Sequence, residues 1–166
     1  MPDDAGLHDR DWYAWTQDQA ARLRAWPEHL RPNGLDVELL AEEVEELGGS
    51  QRRAVESLLR QVVIHCLKLE FHPAEEARAH WMREIDGFRA QVETEFRDSP
   101  SLRARRGTLF GQAWDKGLRI VRRELEREAP EAARAFAVAV PAEGPPRYDL
   151  DAQVLNEDWY PAPPAP

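Results

Sequence analysis

Residues 37–71 read VELLAEEVEELGGSQRRAVESLLRQVVIHCLKLEF, and the rest of the chain is placed by how this stretch is cut. Val37, Leu40, Ala41, Val44 and Leu47 recur at three and four residues, which predicts one face of a helix over 37–47. Asp36 stands where a cap belongs. Gly48-Gly49 is the expected stop, because glycine reaches the left-handed conformation at little cost. Ser50 then caps the next helix, from Gln51 to about Phe71. So short a connection predicts an antiparallel hairpin of the two. Val55, Leu58, Leu59 and Val62 continue an ordinary stripe. Beyond Val62, however, Ile64, Leu67 and Phe71 fall on the side away from Val62 and Cys66. A helix apolar on both sides is covered on both sides. This is the expected central helix, or the place where a second subunit docks.

Upstream, Trp12, Trp15, Gln19, Leu23 and Trp26 form the stripe of a first helix, capped by Asp11 and stopped by Pro27. Downstream, Trp81, Ile85, Phe88, Val92 and Phe96 mark a fourth helix from Pro73 to about Arg97. Asp98-Ser99-Pro100 is a cap with proline at the first helical position. It opens a fifth helix, to about Glu128, whose inward residues are Leu102, Leu109, Ala113, Ile120 and Leu125. Gly107, Gly111 and Gly117 lie on or near its packing side, at a cost of about 1 kcal/mol each against alanine. EAARAFAVAV after Pro130 adds one or two helical turns, PAEGPPR is a linker, and YDLDAQVLNEDWYP docks back. The fold class is all-α: an antiparallel helical bundle of about five main helices with a docked C-terminal segment. A flexible N-terminus (1–10) leads into a single domain (11–160), and a Pro-rich disordered tail (161–166) follows.

With 166 residues, the chain buries roughly 70% of the surface it exposes unfolded, so stability requires no disulfide or metal. No run of about 18 apolar residues exists, which excludes a membrane-spanning helix. The N-terminus shows no secretion signal. The net charge of −9 opposes nonspecific binding to nucleic acid. The single cysteine, Cys66, forms no internal disulfide and points to a reducing cytoplasm.

Candidate chemistry is sparse. Glu42 and Glu46, spaced i and i+4, are the metal candidates, since paired carboxylates one turn apart on facing helices hold Mg²⁺ in all-helical hydrolases. They fall nearly opposite the 37–47 stripe and so face water unless a partner covers them. Glu84 with Asp86, and Glu93 with Glu95, are poorly phased to complete such a site. A di-iron bundle is excluded, because no histidine has a glutamate three residues before it. His65 and Lys68, one turn apart in the most apolar stretch, are the candidate catalytic groups, with Glu70 to satisfy them. The competing reading makes them a hydrogen-bonded core histidine and a lysine whose stem packs. Cys66 reads as a small buried hydrophobe. Glu76, His80 and Glu84 form a surface row. Arg103, Arg105, Arg106 and Arg119, Arg122, Arg123 are basic clusters without an RNA-binding motif. Nucleophile elbow, Walker loop and dinucleotide fingerprint are absent.

DWYAWTQDQAARLR, the 39–71 string, the tryptophan-containing fourth helix with DSPSLR, and YDLDAQVLNEDWYP occur in that order over nearly the whole chain. Together they resemble the bacterial family known as domain of unknown function 29. The approach to the last string, AVPAEGPPRY, departs from the family's Pro- and Cys-containing version. The resemblance implies an all-helical bundle and no particular activity. The leading expectation is a cytoplasmic, non-catalytic interaction or scaffold protein without cofactor. The alternative is a metal-dependent hydrolase, using Mg or Mn on a phosphate-containing substrate. Leu39, outside its stripe, and the second face at Ile64, Leu67 and Phe71 raise a protein partner or homodimer, with neither membrane nor nucleic acid expected.

Overall fold

A computed structural model of the chain describes residues 4–163, and the regular structure among them is entirely helical. The helices are α1 (Asp4–Arg10), α2 (Trp12–Ala25), α3 (Val37–Phe71), α4 (Arg78–Asp98), α5 (Pro100–Ala104), α6 (Arg106–Glu128) and α7 (Pro130–Ala139), followed by a π-helical turn at Leu150–Val154. Among the described residues, no helix is long and apolar enough to cross a membrane. Residues 4–10, expected as a flexible lead-in, are helical. Of the tail expected to be disordered, residues 164–166 lie outside the described part.

The predicted hairpin at Gly48-Gly49 does not exist: α3 runs unbroken for 35 residues. Among the described residues, positive φ is confined to Gly34 and Gly144. Gly48 serves another purpose. A Cβ there would collide with Thr16 Oγ1 of α2, so glycine lets the two helices approach. The fourth helix also begins later than Pro73, after a 3₁₀ turn at Glu75–Ala77. The fifth is divided at Arg105 into α5 and α6.

The chain divides into two compact units, Met1–Val55 with Thr94–Arg106, and Glu56–Glu93 with Gly107–Pro166. In the first, α2 buries Tyr13, Thr16 and Ala20, not the tryptophan stripe. Thr16 on this face meets Gly48. Trp12 and Trp15 instead stack on each other at 5.1 Å, half-buried, with the His8 ring against both. The expected core stripe of α3 fails likewise: Val37 and Ala41 are buried, but Leu40 and Leu47 are 39% and 53% exposed.

Polar side chains lock this unit. Asp11 caps α2 through the Ala14 N–H (2.9 Å) and also accepts from the Ser101 N–H (2.6 Å) at the start of α5. Ser99 makes no side-chain cap to its own helix. Its buried hydroxyl accepts from the Tyr13 N–H and donates to Gln51 Oε1, whose amide nitrogen reaches Glu95.

The second unit holds one apolar cluster. It includes Val62, Val63, Leu67 and Leu69 of α3, Trp81 and Ile85 of α4, Trp114, Leu118 and Leu125 of α6, Phe136 of α7, and Tyr148 and Val154. The second face of α3 is thus covered by its own chain: Ile64 and Leu67 are 7% and 0% exposed. Gly117 meets Val63, whereas a side chain at Gly107 or Gly111 would meet open space.

Residues 148–160 dock here. Arg89, 4% exposed, donates to the carbonyls of Val154 (2.8 Å), Trp159 (2.9 Å) and Gln153 (3.1 Å). Its Nη1 is buried without a hydrogen-bond partner. A cation against the last carbonyls of the π-helical turn meets the negative end of its dipole.

Candidate functional site

In the first unit, Asp36 starts α3 by accepting from the Leu39 N–H at 3.0 Å. Arg31 ties the preceding loop down. Its guanidinium donates to the carbonyls of Trp26 (2.9 Å) and Arg24 (3.2 Å) and pairs with Glu38 at 3.2 Å. This held segment is unusually apolar at its surface. Of the large hydrophobic side chains exposed among the described residues, Trp26, Leu30, Leu35, Leu39, Leu40 and Leu47 belong to it, against Val138 elsewhere. Since the sequence assigned Leu40 and Leu47 to the core, it concealed this surface.

Glu42 and Glu46 are exposed, as their phase predicted. With Tyr13, Gln17, Glu45 and Arg52 they line a groove of about 530 Å³. Guanidinium groups already hold two of the four glutamates that line it, Glu45 and Glu46. Arg53 binds Glu46, and that hydrogen bond holds the Glu46 carboxyl below its ordinary range. Arg24 Nη2 lies 2.6 Å from Glu45 Oε2. Mg²⁺ asks for about six oxygen ligands in near-octahedral array, and these carboxylates are spread along one helix face.

The second unit receives the other candidates and separates them. His65 Nδ1 lies 2.7 Å from the Gln61 carbonyl, which only accepts, so the proton is on Nδ1 and Nε2 keeps its lone pair. Its ring lies 5.6 Å from that of Phe88. Burial lowers its pKa, with the Gln61 bond opposing. Lys68 donates to Glu124 at 2.6 Å and sits 4.7 Å over the Trp81 ring. Glu70 accepts from Arg147 Nη2 at 2.7 Å and from the Tyr148 hydroxyl, whose pKa is raised first by burial and then by that bond. Three neighbours on one helix are therefore each bonded to different partners. Cys66 is fully buried, and burial pushes its thiol up to about 12.

Sequence reasoning missed His72, Glu124 and Glu128, whose ligand atoms lie within 4.8 Å of one another. The tautomer argues against a metal here. His72 Nδ1 accepts the Ala74 N–H at 3.1 Å, so in the neutral ring Nε2 carries the proton, 3.7 Å from Glu128. No lone pair remains on that side, and Lys68 already balances Glu124. The arginine clusters are partly structural too. Arg105 lies 5.5 Å over the Tyr13 ring, and Arg122 donates to the Val140 carbonyl at 3.2 Å.

Fold and candidate groups together define an all-α protein whose part-buried ionisable side chains pair with residues far along the chain. The chain belongs to the family described as Domain of unknown function DUF29, whose sequence profile matches residues 7–160. It is similar to an alpha-helical protein of unknown function from Rhodospirillum rubrum ATCC 11170, known from a crystal structure. The two are 23% identical, with a TM-score of 0.67, over 92% of this chain and 90% of that one. At that identity the likeness concerns the fold alone. No curated protein matches the chain.

Proposed function

We propose that the chain is a non-catalytic interaction protein of a reducing cytoplasm, which engages another protein through the first half of α3 and the loop before it. The observation that carries this reading is the run of exposed Trp26, Leu30, Leu35, Leu39, Leu40 and Leu47 in a pinned segment. Exposed apolar surface gathered in one place marks a contact site, whereas scattered residues do not. The other strings that carry the family resemblance have internal duties. DWY and DSPS supply the Asp11–Ser101 and Tyr13–Ser99–Gln51 contacts, and YDLDAQVLNEDWYP is held by Glu70 and Arg89. Leu39, Leu40 and Leu47 of the 39–71 string are instead left exposed. No cofactor belongs to this reading.

A photo-crosslinking residue placed at Leu47, with a control at Gln112 on α6, tests it in cells. A discrete adduct from Leu47, absent from Gln112 and lost on Leu40→Glu, is expected. An adduct of twice the chain's own mass would replace the reading by a homodimer, and no adduct would end it. A rise in melting temperature with Mg²⁺ or Mn²⁺, abolished by Glu42→Gln with Glu46→Gln, would instead favour the hydrolase.

A further inference from the structure

Resting on that reading, we propose that the partner presents a basic amphipathic helix to α3. Leu40, Val44 and Leu47 succeed one another by four and three residues, the rhythm of a coiled-coil seam. In that register Ala41 and Gly48 flank one side, and Asp36, Glu43 and Ser50 flank the other. The first flank is closed: Ala41 is fully buried, and Gly48 lies against Thr16. The seam is therefore open along the flank of Asp36, Glu43 and Ser50. Asp36 is engaged in capping α3. Glu43 is exposed and sits one helical turn from Leu39, Leu40 and Leu47 alike.

A partner covering those leucines must also cover Glu43. An apolar or acidic side chain there would leave the carboxylate desolvated without a counter-charge, which is expensive. A lysine or arginine beside the partner's own apolar stripe resolves both demands at once. A second copy does not fit. In an antiparallel pair the open flank would meet itself and set acid against acid. In a parallel pair it would face Ala41 and Gly48, which are already buried. The net charge of −9 acts in the same direction over longer range.

The test uses the full chain and two labelled synthetic helical peptides of about 20 residues, long enough for five turns. They share one leucine pattern, with lysine on the polar face of one and glutamate on the other, and binding is read by fluorescence anisotropy. The lysine peptide is expected to bind and the glutamate peptide not. Glu43→Gln should weaken the lysine peptide, and Glu43→Lys should weaken it at least about tenfold, or 1.4 kcal/mol. Leu47→Gln should abolish its binding. Circular dichroism and melting temperature, unchanged in these exposed-site variants, show that they fold. Equal binding of both peptides, or a Glu43→Lys effect within about twofold (some 0.4 kcal/mol), would overturn the basic helix. So would the failure of both peptides while the Leu47 cross-link persists, and that result leaves the interaction reading standing. Loss of the cross-link as well removes both.

Discussion

Between Val37 and Val55, α3 buries a single line: Val37, Ala41, Gly48 and Val55. Between Glu56 and Phe71 it buries Leu59, Val62, Val63, Ile64, Cys66, Leu67 and Leu69, on both sides. Both halves carry leucine and valine at helical spacing. What differs is the size of the residues on the contact line. Gly48 lets α2 come close at Thr16, and Leu40 and Leu47 beside this line are left outside, whereas large residues in the second half fill a wide core. Apolar periodicity shows which residues share a face, and the bulk of their neighbours decides whether that face is covered.

The comparison is most easily broken at Leu67. Leu67→Ala should cost about 2–5 kcal/mol in urea unfolding, since a fully buried leucine leaves a cavity. A loss below 1 kcal/mol would mean that the second half is loosely packed (~2 kcal/mol is the least a buried leucine usually gives). Gly48→Ala should destabilise by about 1–3 kcal/mol, because the added methyl meets Thr16 Oγ1. Unchanged stability there would show that α2 does not approach so closely.

Acid should strain the second half through His65. Its pKa is lowered in the folded protein, by burial first, with Lys68 and His80 adding to the effect while the Gln61 bond and Glu84 oppose it. Its contribution is therefore complete above the unfolded value of about 6.5 and is lost as pH falls below it, by at most about 1.4 kcal/mol per unit. Relative to wild type, His65→Gln should flatten the fall in stability between about pH 7 and 5. Parallel pH profiles would exclude His65 as a source. Gly111→Ala should stabilise by about 0.5–1 kcal/mol, since open space receives the methyl and the helix gains propensity. Smallest of all, Leu47→Ala should stay within about 0.5 kcal/mol. A loss matching Leu67→Ala would place Leu47 in a core.

The sequence made the helices legible because their signals are local. Asp11 and Asp36 cap, Pro100 opens a helix, and the stripe from Trp81 to Phe96 is buried apart from a half-exposed Phe88. The Gly48-Gly49 pair misled because backbone freedom and close approach call for the same residue, and the deciding atom belongs to Thr16. Glu42 and Glu46 were placed correctly as exposed. The partial burial of His65 and Lys68 was also legible, but their partners were not. Glu124, Arg147 and Tyr148 stand far along the chain from Lys68 and Glu70, and no spacing near those residues encodes them. His72 has no periodic neighbours to announce it at the end of α3. The exposed leucines were hidden by satisfying a helical period.

Cys66 gives the second unit a chemical clock. It is the chain's one thiol, fully buried, with ionisation pushed up to about 12, so an alkylating reagent at neutral pH finds almost no thiolate and no path to it. Modification must wait until the helices around it part. At high reagent concentration the labelling rate then equals the opening rate, and at low concentration it reports how often the unit stands open. Because one thiol exists, every labelled molecule records the same event. The motions of this core can thus be timed in the unmodified protein.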